Sequence, residues 1–155
     1  MKAKVVDAKA THVFHIANNM READRLEIAA MGRSDPLRAV NTSLKMSKKA
    51  WTAILDDEPI LMFGVAPISE LTGLGSPWLL STDGITKVKR QFIRECRFYV
   101  DELLDCYPRL SNKVDCRNEV SIRWLKWLGF KFCKPASLGV NGEMFYPFWM
   151  EKINV

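Results

Sequence analysis

The stretch NEVSIRWLKWLGF, residues 118–130, holds a complete helix with its own start and stop. Asn118 can accept a backbone N–H as the N-cap, Glu119 brings negative charge to the first turn, and Gly129 supplies the left-handed residue that ends the helix. Ile122, Leu125 and Leu128 recur at helical spacing with Trp124 beside them, which marks a buried face. A short strand through Lys113 to Cys116 precedes the helix and another, Phe130 to Cys133, follows it, so the unit reads strand, helix, strand.

Outward from this unit the order of elements extends in both directions. Upstream, Val88, Phe92, Cys96, Tyr99 and Leu103 fall every three or four positions, predicting a long amphipathic helix from Ile85 to about Cys106. Before it, a strand through Trp78, Leu79 and Leu80 stops at Ser81-Thr82-Asp83-Gly84, and a Gly/Pro-marked loop is expected from Pro67 to Pro77. Ala50 to Leu55 and Ile60 to Ala66, separated by Asp56-Asp57-Glu58-Pro59, predict a β-hairpin. Lys2 to Asp7 reads as a first strand, Ala10 to about Gly32 as two helices or one bent one, and Pro36 to about Leu44 as a further helix. Met144 to Met150 closes the pattern as a last strand. The order predicts one domain over residues 1–155, an α/β (α+β) fold with a central sheet flanked by helices.

Composition narrows the class of function. Nearly half of the 155 residues are apolar, enough for a real core and against disorder. The sequence holds no run of eighteen apolar residues and no leader-like start, so a soluble, unsecreted protein without a membrane span is expected. Cys96, Cys106, Cys116 and Cys133 form no CxxC pair and read as reduced thiols. A net charge of +5 suits nucleic acid, a phosphate-bearing cofactor or an acidic partner, but the basic residues are scattered and no nucleic-acid signature accompanies them.

The element order, ending in strand, Asn, helix, Gly-Phe and strand, resembles the GNAT superfamily of N-acetyltransferases over essentially the whole chain. Within it, MREADRLEIAA (20–30), ILMFGVAP (60–67), SPWLLSTDGI (76–85) and NEVSIRWLKWLGF are similar to small GNAT-like phage proteins related to the internal virion protein A group of T7-like phages. The resemblance implies a mixed, mostly antiparallel sheet whose fourth and fifth strands splay apart, with acetyl-CoA in the gap and Asn118 facing it. It further implies cofactor contacts at Leu80, Ser81, Thr82, Gly84, Ile85 and Lys87, with the long helix aiming its free N–H groups at the pyrophosphate. A virion protein or host protein is the partner implied, in the virion or the host cytoplasm.

Two positions depart from the family pattern. The superfamily's phosphate loop carries a basic residue or Gln and two small residues, whereas Ser81-Thr82-Asp83-Gly84-Ile85-Thr86 has one glycine and an acid, and Asp83 is expected to cap the helix itself. The Tyr that many members use as a proton donor falls at Leu125; Tyr146, on a late strand, is a substitute candidate. These departures give two readings: a degenerate acetyl-CoA site in a protein that acts by binding, or an active acetyl-CoA-dependent N-acetyltransferase.

Other groups carry an ordinary reading and a functional one. Arg21, Asp24 and Glu27 recur every three residues, as an ion-pair ladder or as the acidic lining of an amine cleft, with Glu27 its most natural member. Asp115 and Glu119 flank Cys116 and Asn118 and either cap the next helix or accept an amine proton, so the catalytic candidates are Glu27, Asp115 and Tyr146. His12 and His15 read as helix histidines without a third ligand, so no metal is expected. Phe145, Tyr146, Phe148 and Trp149 read as core, with some left over for a partner surface.

Overall fold

The protein is described by a computed structural model, which places residues 2–153. Among these residues the strands are β1 (Lys4–Asp7), β2 (Lys49–Leu55), β3 (Glu58–Ser69), β4 (Leu74–Ser81), β5 (Arg109–Asp115), β6 (Lys131–Phe132), β7 (Ala136–Ser137) and β8 (Met144–Glu151). The helices are α1 (Ala10–Asn18), α2 (Glu22–Ala30), α3 (Pro36–Met46), α4 (Lys89–Cys106) and α5 (Glu119–Leu128). The sheet runs β1-β2-β3-β4-β5-β8-β6, with β7 also on β8, and only the β4–β5 neighbours are parallel.

Local chemistry explains most of the boundaries. Asp35 accepts the N–H groups of Leu37 and Arg38 while Pro36 takes the first turn, so α3 starts where expected. Asp56 and Asp57 both have positive φ, the backbone that a two-residue hairpin between β2 and β3 demands. Asn118 Oδ1 accepts the Ser121 N–H at 3.4 Å and Gly129 sits at φ 101°, so α5 is capped at both ends by the residues expected.

Three boundaries differ from the sequence reading. The expected loop from Pro67 to Pro77 is mostly strand: β3 continues to Ser69 and β4 begins at Leu74, leaving a tight turn at residues 70–73. The two strands pair antiparallel through this stretch, and that ladder outweighs the local turn signals. The long helix begins at Lys89, preceded by a 3-10 turn over Asp83–Val88. Its cap is Thr82, whose hydroxyl accepts the Gly84 N–H at 3.1 Å, while Asp83 makes no capping hydrogen bond.

Helices cover both faces of the sheet. Val13 and Ile16 of α1, Ile28 of α2 and Val40 of α3 pack on Met62 and Leu80. On the opposite face Cys96 and Leu103 of α4 and Leu125 and Leu128 of α5 pack on Val65, Leu110, Val114 and Phe148. The two halves of the sheet meet at the β4–β5 seam.

Candidate active site

The β4 and β5 strands pair at Leu74–Arg109 and Gly75–Leu110 and then diverge. At the point of divergence Asn112 Nδ2 donates to the Pro77 carbonyl at 2.7 Å. A residue's N–H and C=O leave a strand on the same side, so the missing N–H of Pro77 also belongs to the β5 side, where the ladder is already interrupted. The opening is a cavity of about 650 Å³ running through the sheet. Its α4–α5 side is walled by apolar side chains including Ile85, Phe92, Cys96, Trp124 and Leu125, and its α2 side by Asp24, Glu27 and Trp78.

The end of this gap is ordered by α2. Asp24 is almost fully buried and accepts the Ser81 N–H at 3.0 Å and the Arg21 guanidinium at 2.9 Å. Glu27, one turn along, accepts the Asp115 N–H at 2.8 Å. These two carboxylates therefore tie one helix to the last residues of both diverging strands. Thr82 is fixed as well, through an antiparallel bridge to Met20 and a hydroxyl donated to the Ile60 carbonyl at 2.9 Å.

The acidic groups here differ in ionisation. Asp115, buried, is gripped by Arg117, with Arg117 Nη2 2.6 Å from its carboxylate, and this bond holds its pKa below the ordinary value. Glu27 has no cation partner among the described residues. Burial pushes its pKa up to about 7, opposed by the Asp115 N–H and reinforced by the negative charge of Asp24. Asn118 Nδ2 is close enough to favour the Glu27 carboxylate but makes no hydrogen bond of ordinary geometry.

Of the sequence-predicted residues, Glu27, Asp115, Leu80, Ser81, Thr82 and Asn118 converge on this end of the gap. Ile85 lines the cavity on its α4 side. Gly84 is required by packing, because a Cβ there would stand 2.8 Å from Ile60 Cγ2. Lys87 lies with Lys89, Arg90 and Arg94 around a basic hollow of about 540 Å³ at the start of α4. Tyr146 is not among the residues that line the cavity; on β8 it pairs with Val114 and packs on Phe132. Leu125 is buried core, leaving no proton donor at that position.

His12 shares a hydrogen bond with Thr52 Oγ1 at 2.9 Å, and no metal-holding group of His, Cys, Asp and Glu occurs among the described residues. All four cysteines are free thiols, and no helix among the described residues is long and apolar enough to cross a membrane. Sequence reasoning missed the Asp24–Ser81 link and the cavity residues Arg33, Asn112 and Lys113. Only Pro77, a strand residue without a donor, carried a local hint of where the seam opens.

Among the described residues three buried side-chain atoms make no hydrogen bond of ordinary geometry: Ser81 Oγ, Asn118 Nδ2 and Trp124 Nε1. All three belong to elements bordering the gap.

Comparison with solved structures places the chain among acetyltransferase folds. The ribosomal-protein-S5-alanine acetyltransferase of Vibrio fischeri superposes with a TM-score of 0.67 at 17% identity, over 99% of this chain and 95% of that one. The phosphinothricin acetyltransferase of Sinorhizobium meliloti, a GNAT superfamily member solved with acetyl-CoA, gives 0.71 at 12% identity over 98% and 89%. The ribosomal-protein-S18-alanine N-acetyltransferase of Escherichia coli gives 0.69 at 11% identity over 99% and 97%. No family model matches the chain, and no curated protein matches it.

Proposed function

We propose that the protein, whose fold is that of the GNAT acetyltransferases with a mostly antiparallel eight-stranded sheet opened between β4 and β5, is an acetyl-CoA-dependent N-acetyltransferase in which Glu27 is the general base. The observation that carries this reading is a carboxylate without a cation partner among the described residues, held at the open end of the gap by the Asp115 N–H and poised near neutrality. A base with that pKa ionises at working pH yet still binds a proton well.

The residues present fit acetyl-CoA. The gap offers apolar walls suited to the alkyl stretch of that ligand. Lys87, Lys89, Arg90 and Arg94 would hold its phosphates, and Asp83 leaves the N–H groups of the following turn uncapped by its own side chain. Acetyl-CoA, when bound, supplies an activated acetyl thioester. Glu27 takes the proton of the incoming ammonium, and the Asp115 N–H holds the accepting carboxylate in place. Leu125 gives no proton to the departing sulfur, which leaves as thiolate or is protonated by solvent.

The rival reading, a degenerate site in a phage protein that binds a virion or host target, rests on Leu125 and on the 3-10 turn that replaces the regular helix start. Calorimetry with acetyl-CoA at about millimolar concentration, where even binding near −4 kcal/mol is visible, is followed by a thiol-release assay with a panel of amines. Saturable binding with turnover supports the transferase and sinks the rival. Absence of binding overturns the transferase.

A further inference from the structure

The acceptor side of the cavity carries charges that the transfer reaction does not use. Arg33 and Lys113 both line it, and neither has an acidic partner among the described residues. The other guanidinium on this side, Arg21, is consumed by Asp24. Lys89 and Arg123 also line the cavity, but from α4 and α5, on the side assigned to the cofactor.

Lys113 sits on the strand that anchors Glu27, and Arg33 lies just past the end of α2, the helix that carries Glu27. Lys113 stands two residues before Asp115 on β5, on the same strand face and about 6.6 Å along it. Asp115 is the residue whose N–H holds Glu27. The Lys113 ammonium donates to the Leu138 carbonyl at 3.4 Å and lies 5.1 Å from the Phe145 ring centroid, leaving further donors free. Arg33 follows α2, its N–H bonded to the Ile28 carbonyl at 2.8 Å. This wall is fixed by a strap, since the Val140 N–H donates to the Ala30 carbonyl at 2.9 Å and a Cβ on Gly32 would press on Val140 Cγ1 at 3.1 Å.

Resting on the transferase reading, we infer that the acceptor is a small amphoteric amine, its ammonium at Glu27 and its carboxylate or phosphonate between Arg33 and Lys113. A diamine would bring its second positive charge against two cations with no anion to offset them. An amino acid brings the matching sign at both ends. Guanidinium in particular pairs with planar or tetrahedral oxyanions through two parallel N–H donors.

The test is thiol release from acetyl-CoA with amino acids, aminoalkylphosphonates, the corresponding amino-acid amides, diamines and short peptides as acceptors. Expected is a kcat/KM at least about tenfold higher for an acid than for its own amide, the usual scale of a charge-assisted hydrogen bond. Whether the carboxylate or the phosphonate series leads identifies the anion. Lys113→Met and Arg33→Gln should each bring the acid-to-amide ratio toward one through KM, and Lys113→Arg, which keeps the cation, should retain the preference. Amides, diamines or peptides turned over as well as the acids would overturn this inference and leave the transferase standing. If acetyl-CoA binds and no amine at all is acetylated, the transferase reading falls first and this one with it.

Discussion

On the proposed reading Glu27 is the residue on which the site's chemistry turns, and its ionisation reaches beyond catalysis. With its carboxyl raised to about 7, the acetylation rate should climb with pH through that value and level off above it. Glu27→Gln should lower kcat by about 10²–10⁴-fold and abolish that limb, while calorimetry still registers acetyl-CoA. Stability moves the other way. Between the ordinary carboxyl value of 4.5 and about 7 the folded protein keeps a proton that the unfolded chain has lost, so this group's contribution falls as pH rises across that window. Glu27→Gln should therefore be more stable than the parent at pH 8, by up to roughly 3 kcal/mol, and nearly equal to it at pH 4, as read by urea melts. In the sequence Glu27 was one rung of a ladder with Arg21 and Asp24. What singles it out is that Asp24 captures Arg21, leaving Glu27 to a backbone N–H 88 residues away, a relation that no local spacing encodes.

Among the elements, β4 and β5 set the geometry through what they fail to share. Gly75 marks the joined end of their seam: a Cβ there would lie 2.5 Å from Tyr107 Cδ2 and 2.8 Å from Val65 Cγ2. Gly75→Ala should destabilise the fold by about 1–3 kcal/mol, the cost of overpacking a filled core, seen as a lower urea midpoint with unchanged slope. The helix at residues 118–130 was legible because its signals are local, a cap, a stripe and a glycine. The start of α4 was not, because the 3-10 turn before it is set by Thr82, whose hydroxyl is committed to the Ile60 carbonyl on another strand. The Pro67–Pro77 segment misled for the same reason: its prolines and glycines look like a loop until β3 and β4 are seen to pair through them.

At the scale of the molecule, the fold holds a ligand-sized cavity between two half-sheets, so filling it should stiffen the whole. Acetyl-CoA at a hundred times its Kd should stabilise the protein by about 2.7 kcal/mol, a rise in Tm of roughly 5–11 °C for a chain of this size. Reversing the basic hollow with Lys87→Glu and Arg90→Glu together should remove most of that rise in a thermal-shift measurement. The family resemblance that the element order carries was enough to anticipate the sheet and its opening, but not the short β7 or the lining of the cavity, which draws on α2, β4, β5, α4 and α5 at once. The position of β8 bears on how the molecule is born. It pairs with β5, β6 and β7, every one of which leaves the ribosome before it does. The amino-terminal half-sheet is free to assemble during synthesis, whereas β5 waits with one long edge bare until Met144–Glu151 emerges. A nascent chain stalled before that point would expose a long unpaired strand edge that the finished fold covers.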